Sequence, residues 1–396
     1  MVAERRAIVA GGGIGGLTAA LALARAGLRV ELFERAASFR EIGAGIQLSP
    51  NSTRVLAHLG VLDTLRPLAF LPERTEMRHW QRGDVVSVTT LGASLVERFG
   101  FPYLHVHRAD LVDVLVHAAV GESRIHLHPG VGIEAFHDDG AQVQVHTAKG
   151  DWRGDVLVGA DGIHSRVRAG LFGAQAPAFT GNVAWRALVP VDRLPPAFVA
   201  PAVTVWMGPG RHFVHYYVRG GALVNCVCVV EKAGWEVESW TQQGDHDELR
   251  ADFAGWHDGI TRLIDAMDRD ACFKWALFDR PPMAEWGRGR ASLLGDACHP
   301  TLPFMAQGAA MAIEDAAVLA GCLDGAADIE AALRRYEGLR RERTAGIQLG
   351  SRKNADVFHL VGEAAEARDR TLAARPGQPA TELFGYDAIA VAREAS

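Results

Sequence analysis

Gly11, Gly13 and Gly16 stand in the pattern G-x-G-x-x-G, with Gly15 among them. They follow the apolar run RAIVA (6–10) and open an Ala- and Leu-rich stretch, 14–27. In such a setting the first glycine permits a tight turn and the second lets backbone N–H groups approach a pyrophosphate. The third lets helix and strand pack closely. Glu34 closes a second strand-like run, RVELF (29–33), where an acid binds ribose hydroxyls. The βαβ context predicts dinucleotide binding over a merely tight turn. It does not separate FAD from NAD.

A second pair sits far along the chain. His212 and Tyr216 lie four apart in RHFVHYY and share one face of a strand. Histidine has the pKa range for proton transfer, and tyrosine can orient an oxygen. Either that face lines a cavity, or the two are a satisfied pair on the outer face. His215 and Tyr217 point the other way and read as sheet residues.

Composition limits the alternatives. The 396 residues carry 41 basic and 47 acidic side chains, net −6. No basic stripe fits a nucleic-acid groove. The cluster Arg334, Arg335, Arg340, Arg341 and Arg343 reads as a solvated helix face. Five cysteines without a C-x-x-C motif read as reduced, buried thiols, hence a cytoplasmic protein with no metal site. Cys226 and Cys228 alternate on one strand without helpers for a metal. The start of the chain lacks a signal-like apolar run, and no segment is long and apolar enough to span a membrane.

Helices are expected at 51–66, 107–120 and 306–323, and one or two over 329–360. Residues 124–162 read as strand, turn, strand, turn, strand, ending in the fully apolar DVLVGA. Strands are expected within 76–101. Residues 180–280 turn aromatic and β-branched, which predicts an antiparallel sheet inserted in an α/β frame. The last residues, VAREAS, are the one stretch that hints at disorder.

Two further segments, GADGIHSRVR (159–168) and GDACHPTLPFMAQGAAMAIEDA (295–316), resemble fingerprints of the class A, single-component FAD-dependent aromatic monooxygenases. EIGAGIQLSPN (41–51) and HRADL (107–111) extend the likeness over nearly the whole chain, in order. The chain looks most like the branch holding salicylate hydroxylase, 3-hydroxybenzoate 6-hydroxylase and 6-hydroxynicotinate 3-monooxygenase. The resemblance implies an α/β fold: a Rossmann-like, glutathione-reductase-type FAD-binding domain, an inserted antiparallel β-sheet substrate domain, and C-terminal helices. The expected division is 1–75, 102–178 and 281–330 for FAD, 76–101 and 179–280 for substrate, and 331–396 for the helical region.

The resemblance also assigns residues. Gly11, Gly13, Gly15, Gly16, Glu34, Arg35, Arg108, Val131, Asp161, Asp296, Gln307 and Gly308 are the expected FAD-binding set. Asp296 accepts from a ribityl hydroxyl or is a helix N-cap. Arg108 pairs with the diphosphate or ribityl chain, or makes a surface ion pair. Val131 offers its backbone to the adenine. Asp161 orders its own loop and Arg166 or Arg168. Pro303 stiffens the loop 300–308, whose N–H groups and following helix dipole face the flavin. His299 reads as structural. Gln47, after Gly43 and Gly45, reaches the cavity. His212 takes a phenol proton and Tyr216 holds the substrate oxygen. Arg186 and Arg211 are two options for a carboxylate partner. Trp185, Trp206, Phe213 and Phe273 are options for apolar walls.

The implied chemistry is hydroxylation of a phenolic ring, with a hydroxybenzoate- or hydroxypyridine-carboxylate-like substrate. It uses non-covalent FAD, NADH or NADPH, and O2, and proceeds through a C4a-hydroperoxyflavin. The expected protein is a monomer or homodimer without nucleic-acid or membrane partners. The alternatives are a flavoprotein oxidase or dehydrogenase without oxygen insertion, and a non-catalytic flavin sensor.

Overall fold

A computed structural model describes residues 5–39, 44–235, 237, 242–374, 377 and 379–394. Positions 41–43 of the segment EIGAGIQLSPN and 395–396 of VAREAS lie outside the described residues.

Arg6–Ala10, Ile14–Arg25 and Arg29–Glu34 form the expected β–α–β unit. The helix has no broad polar face; Ile14, Gly16 and every residue from Leu17 to Ala24 are buried, so it can be covered on all sides. The six-stranded sheet built on this unit runs in the order Gly287–Arg288, Ala291–Leu293, Val156–Gly159, Arg6–Ala10, Arg29–Glu34, Ile125–Pro129. All neighbours are parallel except the terminal hairpin. DVLVGA supplies a strand with no exposed residue, as expected for a sheet covered on both faces.

The stretch 124–162 holds five strands rather than three. Ile125–Pro129 and Val156–Gly159 belong to the parallel sheet, and a separate antiparallel meander, Ile133–Asp138, Val143–Thr147 and Gly150–Gly154, connects them. Each strand is short, so turn and strand signals blur in the sequence. The helix expected over 51–66 is two, Pro50–His58 and Leu62–Leu65, parted at Gly60 with φ +78°.

The second large sheet has seven strands, in the order Phe273–Asp279, Ala178–Pro190, Leu223–Glu231, Arg211–Val218, Ala202–Gly208, Arg74–His79, Val85–Thr90. It is antiparallel throughout except where Ala202–Gly208 meets Arg74–His79 in parallel. One face packs Trp185, Trp206, Phe213, Cys226 and Cys228 with the helices His246–Asp252 and Asp258–Asp265. The other face packs Ala184, Val205, Val229 and Trp275 against Leu302, Phe304, Ala355 and Phe358. The long helix Ile329–Phe358 thus lies against both the helix Gly308–Leu323 and the site face of the second sheet.

Among the described residues no helix is long and apolar enough to cross a membrane.

Candidate active site

The glycine turn is fixed by close contacts. A Cβ on Gly11, at φ +105°, would lie 2.4 Å from the Ala160 carbonyl oxygen, and one on Gly16 would lie 1.9 Å from the Gly11 carbonyl oxygen. Gly15 fits against Leu294 and Ala312. Gly13 is the N-cap of Ile14–Arg25, and no side chain caps that helix. Its first N–H groups are therefore left for a ligand such as a diphosphate.

Glu34 ends the second strand half-buried, its oxygens accepting from Gly12 N–H and Ala36 N–H at 2.7 Å each. Arg35 beside it is exposed. Val131 N–H is committed to the Glu34 carbonyl at 2.9 Å, so only its carbonyl remains to meet an adenine. Asp161 bonds the Ser165 hydroxyl and accepts from Arg166 N–H at 2.7 Å. It thus orders Arg166 through the backbone, not the guanidinium.

Arg108 begins the helix Arg108–Gly121, and Asp296 lies in the short turn Gly295–Ala297. The two interact electrostatically. Asp296 keeps surface exposed although protein surrounds it, and that surrounding raises its carboxyl pKa. An uncapped helix start, and a cation interacting with an acceptor, are groups that suit the phosphates and the ribityl chain of FAD.

The loop leading to Gly308–Leu323 carries Pro303, which is exposed, and Ala306, held at φ +53°. A left-handed alanine is strained, and such strain concentrates at functional turns. Gln307 is the N-cap, but its side chain is committed: it donates to Ser49 Oγ at 3.0 Å and accepts from Asn51 at 3.2 Å. Gly308 and the other first N–H groups of that helix lack a side-chain cap.

Behind this loop lies a buried ion network. Arg340 is fully buried, not solvated, and bonds Asp315 at 2.7 Å and Glu314 at 2.7 Å. Arg343 bonds Glu314 at 2.8 Å. The solvated-face expectation fails at these two arginines because the preceding helix places two adjacent acids in the core. His299, structural as expected, lies 2.5 Å from Asp315. Against burial, which raises it, His299 and Arg340 hold Asp315 at a pKa of about 2. Cys298, His299 and Asp315 come close enough to suggest a metal, but the Asp315 carboxylate is already engaged by His299, Arg340 and the Gly295 N–H.

His212 and Tyr216 do share one face of Arg211–Val218, the face toward Phe304 and Phe358. His215 and Tyr217 face the other side, bonded to Trp206 and to the Val199 carbonyl. Tyr216 packs on His105 at 4.6 Å, and a Cβ on Gly45 would lie 2.8 Å from its ring. Gln47 accepts from the Tyr103 hydroxyl at 2.7 Å and also bonds Tyr216. Burial raises both tyrosine pKa values, so the two stay neutral donors. Burial, then His359, pushes His212 well below the usual histidine range, so it is neutral.

Arg186 stands over Trp275 at 4.0 Å and interacts with Tyr216. Burial and Arg108 lower its pKa to about 9, and it remains a cation at neutral pH. Arg211 is engaged elsewhere, with the carbonyls of Asp252 and Pro209. Trp185, Trp206 and Phe213 belong to the core of the opposite face and are not cavity walls. Phe273 lies two residues before Trp275 on the same strand and so shares its face.

This two-sheet fold is that of an FAD-dependent hydroxylase, superposing on salicylate hydroxylase with a TM-score of 0.84 at 27% identity, covering 100% of this chain and 99% of that one. The family model described as "FAD binding domain" matches residues 4–348. The chain is 40% identical over 397 residues to a 3-amino-4-hydroxybenzoate 2-monooxygenase of Streptomyces platensis, covering 98% of this chain and 97% of that one. It is 38% identical to the 6-hydroxynicotinate 3-monooxygenase of Pseudomonas fluorescens, covering 88% and 91%. The crystal structure of Klebsiella pneumoniae HpxO with FAD and uric acid superposes with a TM-score of 0.84 at 30% identity, covering 100% and 98%. The chain belongs to this FAD-binding family of flavin-dependent aromatic monooxygenases.

Proposed function

We propose that the protein hydroxylates an aromatic ring that already carries a hydroxyl and a carboxylate, consuming NADH or NADPH and O2. Bound FAD supplies the electrophilic oxygen. What this chain must add is an electron-rich ring, a fixed orientation and the exclusion of water. The observation that carries the reading is that His212, Tyr216 and Arg186 occupy one face of the seven-stranded sheet, opposite Leu302 and Phe304. His212, neutral by burial, takes the substrate hydroxyl proton and so raises electron density at the ortho and para positions. Tyr216 and Gln47 orient the oxygen. Arg186 pairs with the carboxylate, its charge kept by a pKa of about 9.

The FAD set is Gly11, Gly13, Gly15, Gly16, Glu34, Arg108, Asp296 and the main chain at Gln307–Gly308, with Arg35, Val131 and Asp161 around it. The reading takes 1–75, 102–178 and 281–330 as the FAD part, 76–101 and 179–280 as the substrate part, and 331–396 as the covering helices. Five buried, free thiols suit a reducing, cytoplasmic setting.

The test is an assay of NADH and NADPH consumption with 3-amino-4-hydroxybenzoate, 6-hydroxynicotinate, 4-hydroxybenzoate, benzoate and phenol, with product identified. Coupled hydroxylation of the phenolic acids supports the reading. Benzoate hydroxylated as fast as the phenolic acids would sink phenol activation. Ring-stimulated NADH oxidation with peroxide as the sole product would favour an oxidase.

A further inference from the structure

His212 is bonded to a second buried histidine. Its Nδ1 lies 2.7 Å from His359 Nε2, and His359 Nδ1 lies 2.7 Å from Glu231 Oε1. His212 and His359 are buried, whereas the Glu231 side chain is 57% exposed. The three come from separate elements: the strand Arg211–Val218, the residue that caps Ile329–Phe358, and the end of the strand Leu223–Glu231. They make a continuous hydrogen-bonded row from the site face to solvent.

The direction of each bond follows from the carboxylate. A carboxylate oxygen accepts, so with Glu231 as acceptor His359 Nδ1 carries the hydrogen. Neutral His359 is then bare at Nε2 and accepts from His212 Nδ1–H. Neutral His212 is in turn bare at Nε2. The carboxylate at one end thus selects which ring nitrogen is a base at the other.

We infer that Glu231 and His359 are positioning residues that hold His212 with Nε2 free and conduct the substrate's proton to the surface. This rests on His212 acting as the base. In the forward direction the substrate O–H bond breaks and His212 Nε2–H forms. His212 Nδ1–H passes to His359 Nε2, and His359 Nδ1–H passes to Glu231, which yields a proton to water. Both rings end neutral, in the opposite tautomer. The reverse flow, from water through Glu231, lets His212 Nε2–H reprotonate the product oxygen and resets the row.

The surroundings explain why conduction is needed. Burial lowers both histidine pKa values, so neither ring stores a proton well. Around His359, Glu231 and Asp356 favour a proton, while burial and Arg211 oppose it; around His212, burial and His359 oppose it. A base that holds a proton poorly must hand it on.

The test uses the FAD-bound full chain with 15N-histidine labelling. Two-bond 1H–15N spectra report which nitrogen of each ring carries hydrogen, without any substrate. The expected wild-type state is Nδ1–H on both His212 and His359. H359Q offers its amide oxygen near the lost Nε2 and keeps His212 Nδ1–H; H359F and E231Q lose that preference. Whichever phenolic acid of the panel above is hydroxylated then serves for turnover. Coupled hydroxylation should fall about 10- to 10³-fold in H359F. H359Q should keep the tautomer yet still lose rate and shift its pH profile, because an amide does not relay. Nε2–H on wild-type His212, or a tautomer indifferent to H359F and E231Q, overturns the inference. Loss of coupling in H212A with H359F, H359Q and E231Q behaving as wild type overturns the row and leaves His212 as base. Normal coupling in H212A removes the base itself, and the conduction with it.

Discussion

Arg340 Nε lies 2.7 Å from Asp315 Oδ1, and neither side chain is exposed. The pair belongs to a network that includes Glu314, Arg343, His299 and, through Asn51, Gln307. Removing one member leaves a buried charge without its partner, which costs about 3–5 kcal/mol. Arg340→Met should therefore destabilise the protein by that amount in urea unfolding. Adding Asp315→Asn and Glu314→Gln should restore part of it. An unchanged midpoint in the single variant would mean the network contributes nothing.

Glu34 holds Gly12 N–H and Ala36 N–H at 2.7 Å each. Glu34→Ala loses both these contacts and the expected ribose contact. A charged hydrogen bond is worth roughly 1.5–3 kcal/mol, so the FAD dissociation constant should rise about 10- to 150-fold. Flavin fluorescence titration measures it. Equal affinity, or a changed ring preference, would contradict the assignment.

His212→Ala should leave flavin reduction by NADH close to wild type and slow hydroxylation about 10²- to 10⁴-fold, with more peroxide released. Rapid mixing separates the two half-reactions. Wild-type product yield per NADH would reduce His212 to a packing residue.

Arg186→Met should weaken binding of 4-hydroxybenzoate about 10- to 150-fold, the worth of one charged hydrogen bond, and leave phenol binding unchanged. Ligand-induced changes in the flavin spectrum give both constants. An equal loss for phenol would show that Arg186 shapes the cavity rather than meeting a carboxylate.

Acid should destabilise the fold through buried histidines. Burial pushes His105 down to about 3; His215 also falls to about 3, by burial and then Arg78. Between about pH 6.5 and 3 the unfolded chain binds protons that the folded chain refuses, so stability falls as pH falls. Each such histidine contributes up to about 1.4 kcal/mol per pH unit. His105→Phe should flatten the dependence of Tm on pH by about one proton. A slope identical to wild type would show that His105 is not held neutral.

The sequence was most legible where backbone geometry imposes residue type. Gly11 and Gly16 are forced by contacts under 2.5 Å, and the alternation of His212 to Tyr217 follows from the strand repeat. Partners distant in sequence were not legible. His359 is 147 residues from His212, and nothing in VFHLVG marks it as more than the end of a helix. Arg340 sits in an arginine-rich helix whose local pattern looks solvated; only the tertiary meeting with Glu314 and Asp315 reverses that. Gln307 sits in a cofactor fingerprint, yet its side chain serves Ser49 and Asn51.

The interleaving of the two large sheets bears on synthesis. The parallel sheet needs Arg6–Ala10 from the beginning of the chain and Ala291–Leu293 from late in it. The other sheet joins Arg74–His79 and Val85–Thr90 to Phe273–Asp279. Neither sheet is complete until roughly three quarters of the chain has left the ribosome, because long-range pairing must await its partner strand. Until then the apolar strand Arg6–Ala10 lacks part of its cover, and a nascent chain stalled before Phe273 presents chaperones with two unfinished sheets rather than one finished domain.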